Sequence, residues 1–227
     1  MASALFPSTR ETTNYARLCR LLIDVGTEVL REVFDRIHPP IDLHKVLAQS
    51  GVKSKLQALL KRRKLNPSQW NILYPTSTTV SSADFDVTLL MVLFRNICNL
   101  PQPGTGWDDL PTAADTSLEA DIARVKFYRN TVYAHVSNAS IDDTEFTHYW
   151  QEIRETLVRL GGAGSSYGDT IDRLANESMD PEKEKFYQEL LKTWWNDEFS
   201  LKVKLDEIDE KLSDFANPKK RTRSAGM

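Results

Sequence analysis

A chain of 227 residues, 41% hydrophobic and 27% charged, is long enough to bury a core without disulfide or metal staples. Its formal net charge of −3 excludes a molecule that attracts nucleic acid over its whole surface. Its two cysteines, Cys19 and Cys98, lie in apolar helical stretches and read as small buried hydrophobes in a reducing compartment. No apolar run reaches membrane-spanning length, and Ser3 to Glu11 does not read as a signal peptide, so a cytoplasmic location is expected.

Ser8 and Glu11 have capping-box spacing, which starts a helix at about Thr9. Leu18, Leu21, Leu22, Val25, Val29, Val33 and Ile37 then recur at three and four residues, until His38-Pro39-Pro40 stops the run. Asp42 is placed to cap a short helix through Leu47, with Gly51 as its breaker. Val52 to Lys64 reads as an amphipathic helix, with Leu56, Leu59 and Leu60 inward. Asn66-Pro67-Ser68 opens a short turn that carries Trp70, Ile72 and Leu73.

Ser81 or Ser82 is expected to cap a helix from Asp84 to Asn99. It is apolar nearly all round, as a central helix must be. Leu100 to Ala114 is a long loop rich in proline and glycine, pinned by Trp107. Thr116 and Glu119 form a second capping box, for a helix ending near Ala134. Asp142 and Glu145 start the next helix, which stops at Gly161-Gly162. A short helix, Asp169 to Asn176, follows. Asp180-Pro181 then opens a longer one, in which Tyr187, Leu191, Trp194, Leu201, Leu205, Ile208, Leu212 and Phe215 keep a heptad-like spacing over 187–215. That stripe suits docking on the domain or coiled-coil-like pairing with another chain. The expectation is an all-α protein: a helical bundle over 9–160, a helical extension over 169–216 and a basic tail over 217–227. Lys219 to Arg223 also has the composition of a nuclear-import signal.

Two features carry possible chemistry. No acidic residue lies between Asp42 and Asp84, an interval holding Lys45, Lys53, Lys55, Lys61, Arg62, Arg63 and Lys64. It reads either as a solvated helix face or as a positive face that tracks a phosphate backbone. The other feature is Phe127 to His135, which gathers Arg129, Asn130 and His135 at one helix end. In a structural reading Arg129 pairs with an acid, Asn130 caps carbonyls and His135 sits where the helix dipole attracts a cation. In a functional reading the group cleaves RNA. Histidine moves the proton of a ribose 2′-hydroxyl or of the leaving 5′-oxygen, arginine clamps the phosphate, and asparagine orients either partner. The product would carry a 2′,3′-cyclic phosphate. His38, His44, His135 and His148 are scattered and form no metal-ligand cluster, and no cofactor is expected. Six residues of regular helix turn about 600°, so Arg129 and His135 point roughly 120° apart. They can meet if the helix opens after Tyr133; in an unbroken helix one chain supplies half a site, and a two-fold partner would supply the rest.

Arg129-Asn130, followed after five residues by His135, resembles the motif of the HEPN (higher eukaryote and prokaryote nucleotide-binding) superfamily. The surrounding residues Ile41 to Leu47, Ser68 to Pro75, Phe85 to Leu90, Leu93 to Cys98, Gly106 to Pro111 and Tyr128 to Asn130 resemble one branch. That branch is the HEPN domain at the N-terminus of DAZ-interacting-protein-type RING ubiquitin ligases, and the similarity runs from about Tyr15 to Trp195. The RING cysteine-histidine pattern is absent here, so ligase activity does not carry over. The resemblance implies a helical bundle, a homodimer through the Arg129/His135 face, and RNA binding or metal-independent RNA cleavage by Arg129, Asn130 and His135. Lys53, Lys55, Lys61, Arg62, Arg63 and Lys64 would then follow the RNA backbone. It equally implies a non-catalytic alternative, an adaptor module of the kind found in immune-type or ubiquitin-linked proteins. A weaker third reading is mononucleotide binding in the same cleft. Arg95-Asn96 is a second Arg-Asn pair without a following histidine, and Arg95 reads as an ion-pair partner.

Overall fold

The computed structural model describes residues 9–76, 79–135 and 138–193, and all regular structure among them is helical. The first helical run stays unbroken from Arg10 to Ile37 but changes pitch on the way. Helix α1 (Arg10–Arg20) passes through a π-helical turn at Leu21–Gly26 into α2 (Thr27–Ile37). Its cap is Thr9, whose hydroxyl accepts from the Thr12 N–H at 3.3 Å while Thr12 answers to the Thr9 N–H at 2.9 Å. This reciprocal pair replaces the expected Ser8–Glu11 box, and Ser8 lies outside the described residues. Tyr15, Leu18, Leu21, Leu22, Val29, Leu30, Val33 and Phe34 are all nearly or fully removed from solvent.

Helices α3 (Leu43–Ala48) and α4 (Ser50–Lys61) are separated at Gln49, whose extended ψ of 130° breaks the run. Gly51 is therefore inside α4 and not a breaker. Asp42 makes no side-chain cap; its carboxylate takes the Lys45 ammonium at 2.7 Å instead. Helix α4 begins earlier than Val52 and ends before Lys64, with Arg63 left-handed at φ 55°. Helix α5 (Pro67–Leu73) carries a complete capping box between Asn66 and Gln69, with Pro67 in the first turn where its missing N–H costs nothing.

The central helix is shorter than its apolar run. Ser81 caps only a 3₁₀ turn at Ser82–Asp84. The chain then extends at Phe85, which is fully buried edge-on against Phe34 at 5.7 Å. Asp86 restarts the helix by accepting the Leu89 N–H at 2.7 Å, giving α6 (Val87–Asn96). Seating Phe85 in the core has taken precedence over helical continuity. Val87, Leu89, Leu90, Met91, Leu93 and Phe94 are buried around nearly the whole circumference, as expected of a central helix.

The long loop is pinned as its composition suggests. Trp107 is buried, with the Arg95 guanidinium 5.9 Å from its ring, and Asp108 joins Arg95 and Lys126 in one ion-paired cluster. Burial alone would raise the Asp108 pKa, but the Lys126 hydrogen bond and the two positive charges hold it below the usual carboxylate range. Helix α7 (Leu118–Ala134) is capped one residue later than expected, by Ser117. The reason is Asp115, whose carboxylate accepts both the backbone N–H and the hydroxyl of Ser117 and fixes that residue at the entrance.

Asp142 caps α8 (Asp143–Gly161) through the Thr144 and Glu145 amides, and Gly162 ends it at φ 83°. Helix α8 packs along α7 and crosses α1 and α2. Helix α9 (Tyr167–Asn176) starts earlier than Asp169, because Tyr167 is itself buried, and it lies against α8 and the π turn. Asp180 caps a final described helix, 181–193. That helix docks on the bundle: Leu191 is buried, Tyr187 donates to Asp24 at 2.8 Å, and buried Glu184 accepts from the Thr13 hydroxyl. Leu201, Leu205, Ile208, Leu212, Phe215 and the basic tail lie outside the described residues. Among the described residues no helix is long and apolar enough to cross a membrane.

Cys19 and Cys98 are both buried and unbridged. Burial pushes both thiols up, Cys98 to about 12, which leaves them poor nucleophiles at neutral pH.

Candidate functional site

The C-terminal half of α7 holds Arg129 and Asn130, and His135 is its C-cap residue. Arg129 is only 4% exposed. Its Nε and Nη2 donate to the Asn130 carboxamide oxygen at 3.2 and 3.0 Å, and Nη1 donates to the Thr88 hydroxyl at 3.2 Å. The guanidinium is thus turned toward the first turn of α6. Asn130 serves as its orienting group, a role set by adjacency in sequence.

His135 faces another way. It is the C-cap residue of α7, its N–H engaged by the Val132 and Tyr133 carbonyls. Its own carbonyl accepts from Asn138 and Ala139. The partly exposed imidazole meets the Tyr149 ring of α8 edge-on, with centroids 6.4 Å apart. Tyr149 also contacts Tyr128 at 6.2 Å and His148 at 5.6 Å. Tyr128 is buried and donates to Glu152 at 3.1 Å. Arg129 and Asn130 are therefore brought together, while Arg129 and His135 work toward different helices, α6 and α8. This matches the angular separation that regular helix geometry imposes. Tyr133 is partly buried against the core, and that burial raises its pKa.

All six cations assigned to a backbone-tracking face are exposed. Two are engaged. Lys55 donates to the Asn96 carbonyl at 2.6 Å, and the Lys53 ammonium sits 5.5 Å from the Tyr74 ring centroid. Lys61, Arg62, Arg63 and Lys64 form no ion pair with the described residues. The Lys55 contact fixes where this face meets α6: at Asn96, the end opposite the Thr88–Arg129 contact. Eight residues of helix separate the two points by about 12 Å along α6.

Thr88 and Tyr149 were not foreseeable as neighbours of the motif. Their side chains carry no pattern of their own, and only the packing of α6 and α8 on α7 brings them there.

Comparison with known proteins bears on the same stretch. A family profile described as DZIP3/hRUL138-like HEPN matches residues 40–187, which contain the whole of α7. The chain belongs to this HEPN family. The human and mouse E3 ubiquitin-protein ligases DZIP3 are each 30% identical to it over 150 residues. That alignment covers 65% of this chain and 12% of each ligase, so the chain spans a small part of the length of the relatives it matches. No solved structure matches it.

Proposed function

We propose that this chain is an RNA-directed HEPN module, working as a homodimer, that cleaves RNA through attack of a ribose 2′-hydroxyl on the adjacent phosphorus. His135 takes or gives the proton, Arg129 stabilises charge on the phosphoryl oxygens, and Asn130 holds Arg129 in position. The bond broken is that to the 5′-oxygen of the next nucleotide, and the product end is a 2′,3′-cyclic phosphate. What supports this reading is the arrangement at the end of α7. An arginine whose fork is oriented by its sequence neighbour is followed, at the same helix end, by a partly exposed imidazole that faces a different helix. A second copy would bring a second histidine, so that one acts as base and one as acid. Lys61 to Lys64, exposed at the end of α4, are the cations best placed to follow the strand.

The test is incubation of the purified chain with single-stranded RNA, with and without chelator, followed by analysis of the ends. Cyclic phosphate ends, chelator-resistant activity and no cleavage of fully 2′-O-methylated RNA are expected. Linear phosphate ends, or cleavage of the methylated strand, would overturn the mechanism.

One observation favours a second reading, a non-catalytic association module. Arg129 is almost fully buried, with its fork taken by groups of its own chain. A phosphate would have to displace Thr88 or Asn130 to reach it. In this reading the chain self-associates and binds RNA or protein without turnover, and sedimentation shows a dimer while RNA stays intact.

A further inference from the structure

One concavity among the described residues has no lining residue from α7. It is a groove of about 500 Å³ between α3, α4, the end of α5 and the segment before the 3₁₀ turn. That volume is ordinary for a ligand site. Its floor is Leu47 and Leu73, both buried, and its walls are Ala48, Pro75, Val80 and the face of Tyr74. Tyr74 is held from two sides: its hydroxyl donates to the Leu47 carbonyl at 3.0 Å, and its ring stacks on Trp70 with centroids 4.3 Å apart. Tyr74 is therefore held in place by its own chain.

The charge at the groove is of one sign. Lys53 and His44 stand at the rim, with Thr79 as the remaining polar side chain. Both Lys53 and His44 are exposed. The stretch from Leu43 to Ala83, which supplies every lining residue, contains no carboxylate. The Lys53 ammonium stands over the Tyr74 ring and has no acidic partner among the described residues. The groove thus offers a largely apolar trough with one cation poised at its edge.

We infer that this groove is a docking site for a short peptide segment carrying a carboxylate side chain flanked by apolar ones. The carboxylate would pair with Lys53, and the apolar side chains would cover Leu47, Leu73 and Val80. A nucleic-acid strand suits the groove poorly. Reading a base edge needs several donors and acceptors held in a fixed array, and the groove offers only the Thr79 hydroxyl and two exposed rim side chains, Lys53 and His44. A polyanion needs a row of cations, and that row, Lys61 to Lys64, starts about 12 Å further along α4. The site does not depend on the RNA reading of Arg129 and His135.

The probe is a short acetylated and amidated peptide alternating leucine and glutamate, compared with its leucine–glutamine counterpart and with a uridine oligonucleotide. Binding is followed by methyl NMR shifts of the full chain. The glutamate peptide is expected to move the Leu47, Leu73 and Val80 methyls and to bind at least about tenfold more tightly than the glutamine peptide. Lys53→Glu, at an exposed position, should abolish that preference, and Lys53→Arg should keep it. Equal binding of the two peptides, shifts confined to other regions, displacement by the oligonucleotide, or no binding would each overturn the proposal.

Discussion

Replacing His135 by alanine is expected to slow RNA cleavage by about 10²–10⁴-fold, the range over which a positioned acid or base acts. The fold should survive. His135 caps α7 through its backbone, and its side-chain contact with Tyr149 is a partly exposed edge-on approach. Circular dichroism and the sedimentation coefficient should match those of the parent while product formation collapses. A variant that cleaves as fast as the parent would remove His135 from the chemistry. Arg129 is a less clean probe, because its substitution also takes away buried hydrogen bonds to Thr88 and Asn130.

Asp121→Asn is the substitution expected to cost the most stability. Asp121 is 2% exposed and receives two guanidinium groups. Arg124 reaches it from one turn along α7 at 2.6 Å, and Arg159 reaches it from α8 through two bonds of 2.9 Å. Arg124 itself is buried and also donates to the Thr112 and Asp115 carbonyls, so it ties the end of the long loop to the same carboxylate. Removing the negative charge leaves a buried guanidinium without its counter-ion. Breaking a buried pair in this way costs about 3–5 kcal/mol. For a domain of this size that is a fall in melting temperature on the order of 10 °C. The contrast is Asp172, whose bond to Arg154 is just as short at 2.7 Å but solvent-exposed. Asp172→Ala should cost about 1 kcal/mol or less. Thermal unfolding of the two variants side by side checks the ranking.

The sequence announced most helices but not where they begin. Ser8 and Thr9, and again Thr116 and Ser117, are adjacent residues with equivalent capping chemistry. The choice in the second pair was made by Asp115, which locks Ser117. Similarly, a mostly apolar run from Phe85 onward looks like one helix. Only the pocket beside Phe34 explains why Phe85 stands outside it. Arg129, Asn130 and His135 were visible because they sit close together in sequence and match a family motif. Thr88, Tyr149 and the groove beside Tyr74 were not, because each exists only when helices distant in sequence meet. Geometry known in advance also separated Arg129 from His135, since the helix period alone sends them to different neighbours.

The π-helical turn at Leu21–Gly26 has a bearing on how this fold tolerates changes in length. Leu21, Val25, Val29, Val33 and Ile37 follow one another at intervals of four. In a regular helix each such step drifts by about 40° around the axis, and the stripe would wander off the core. A wider turn rotates less per residue and takes up part of that drift, so α1 and α2 both keep an apolar face on the bundle. The turn is in effect a residue of slack wound into the helix. Loss of one residue within 21–26 should tighten it to ordinary pitch and leave both flanking faces aimed inward. The same loss at Arg31 would swing the following residues by about 100° and expose Val33 and Phe34. Length changes of one residue in the first helix are thus expected to be tolerated at this turn and not elsewhere along it.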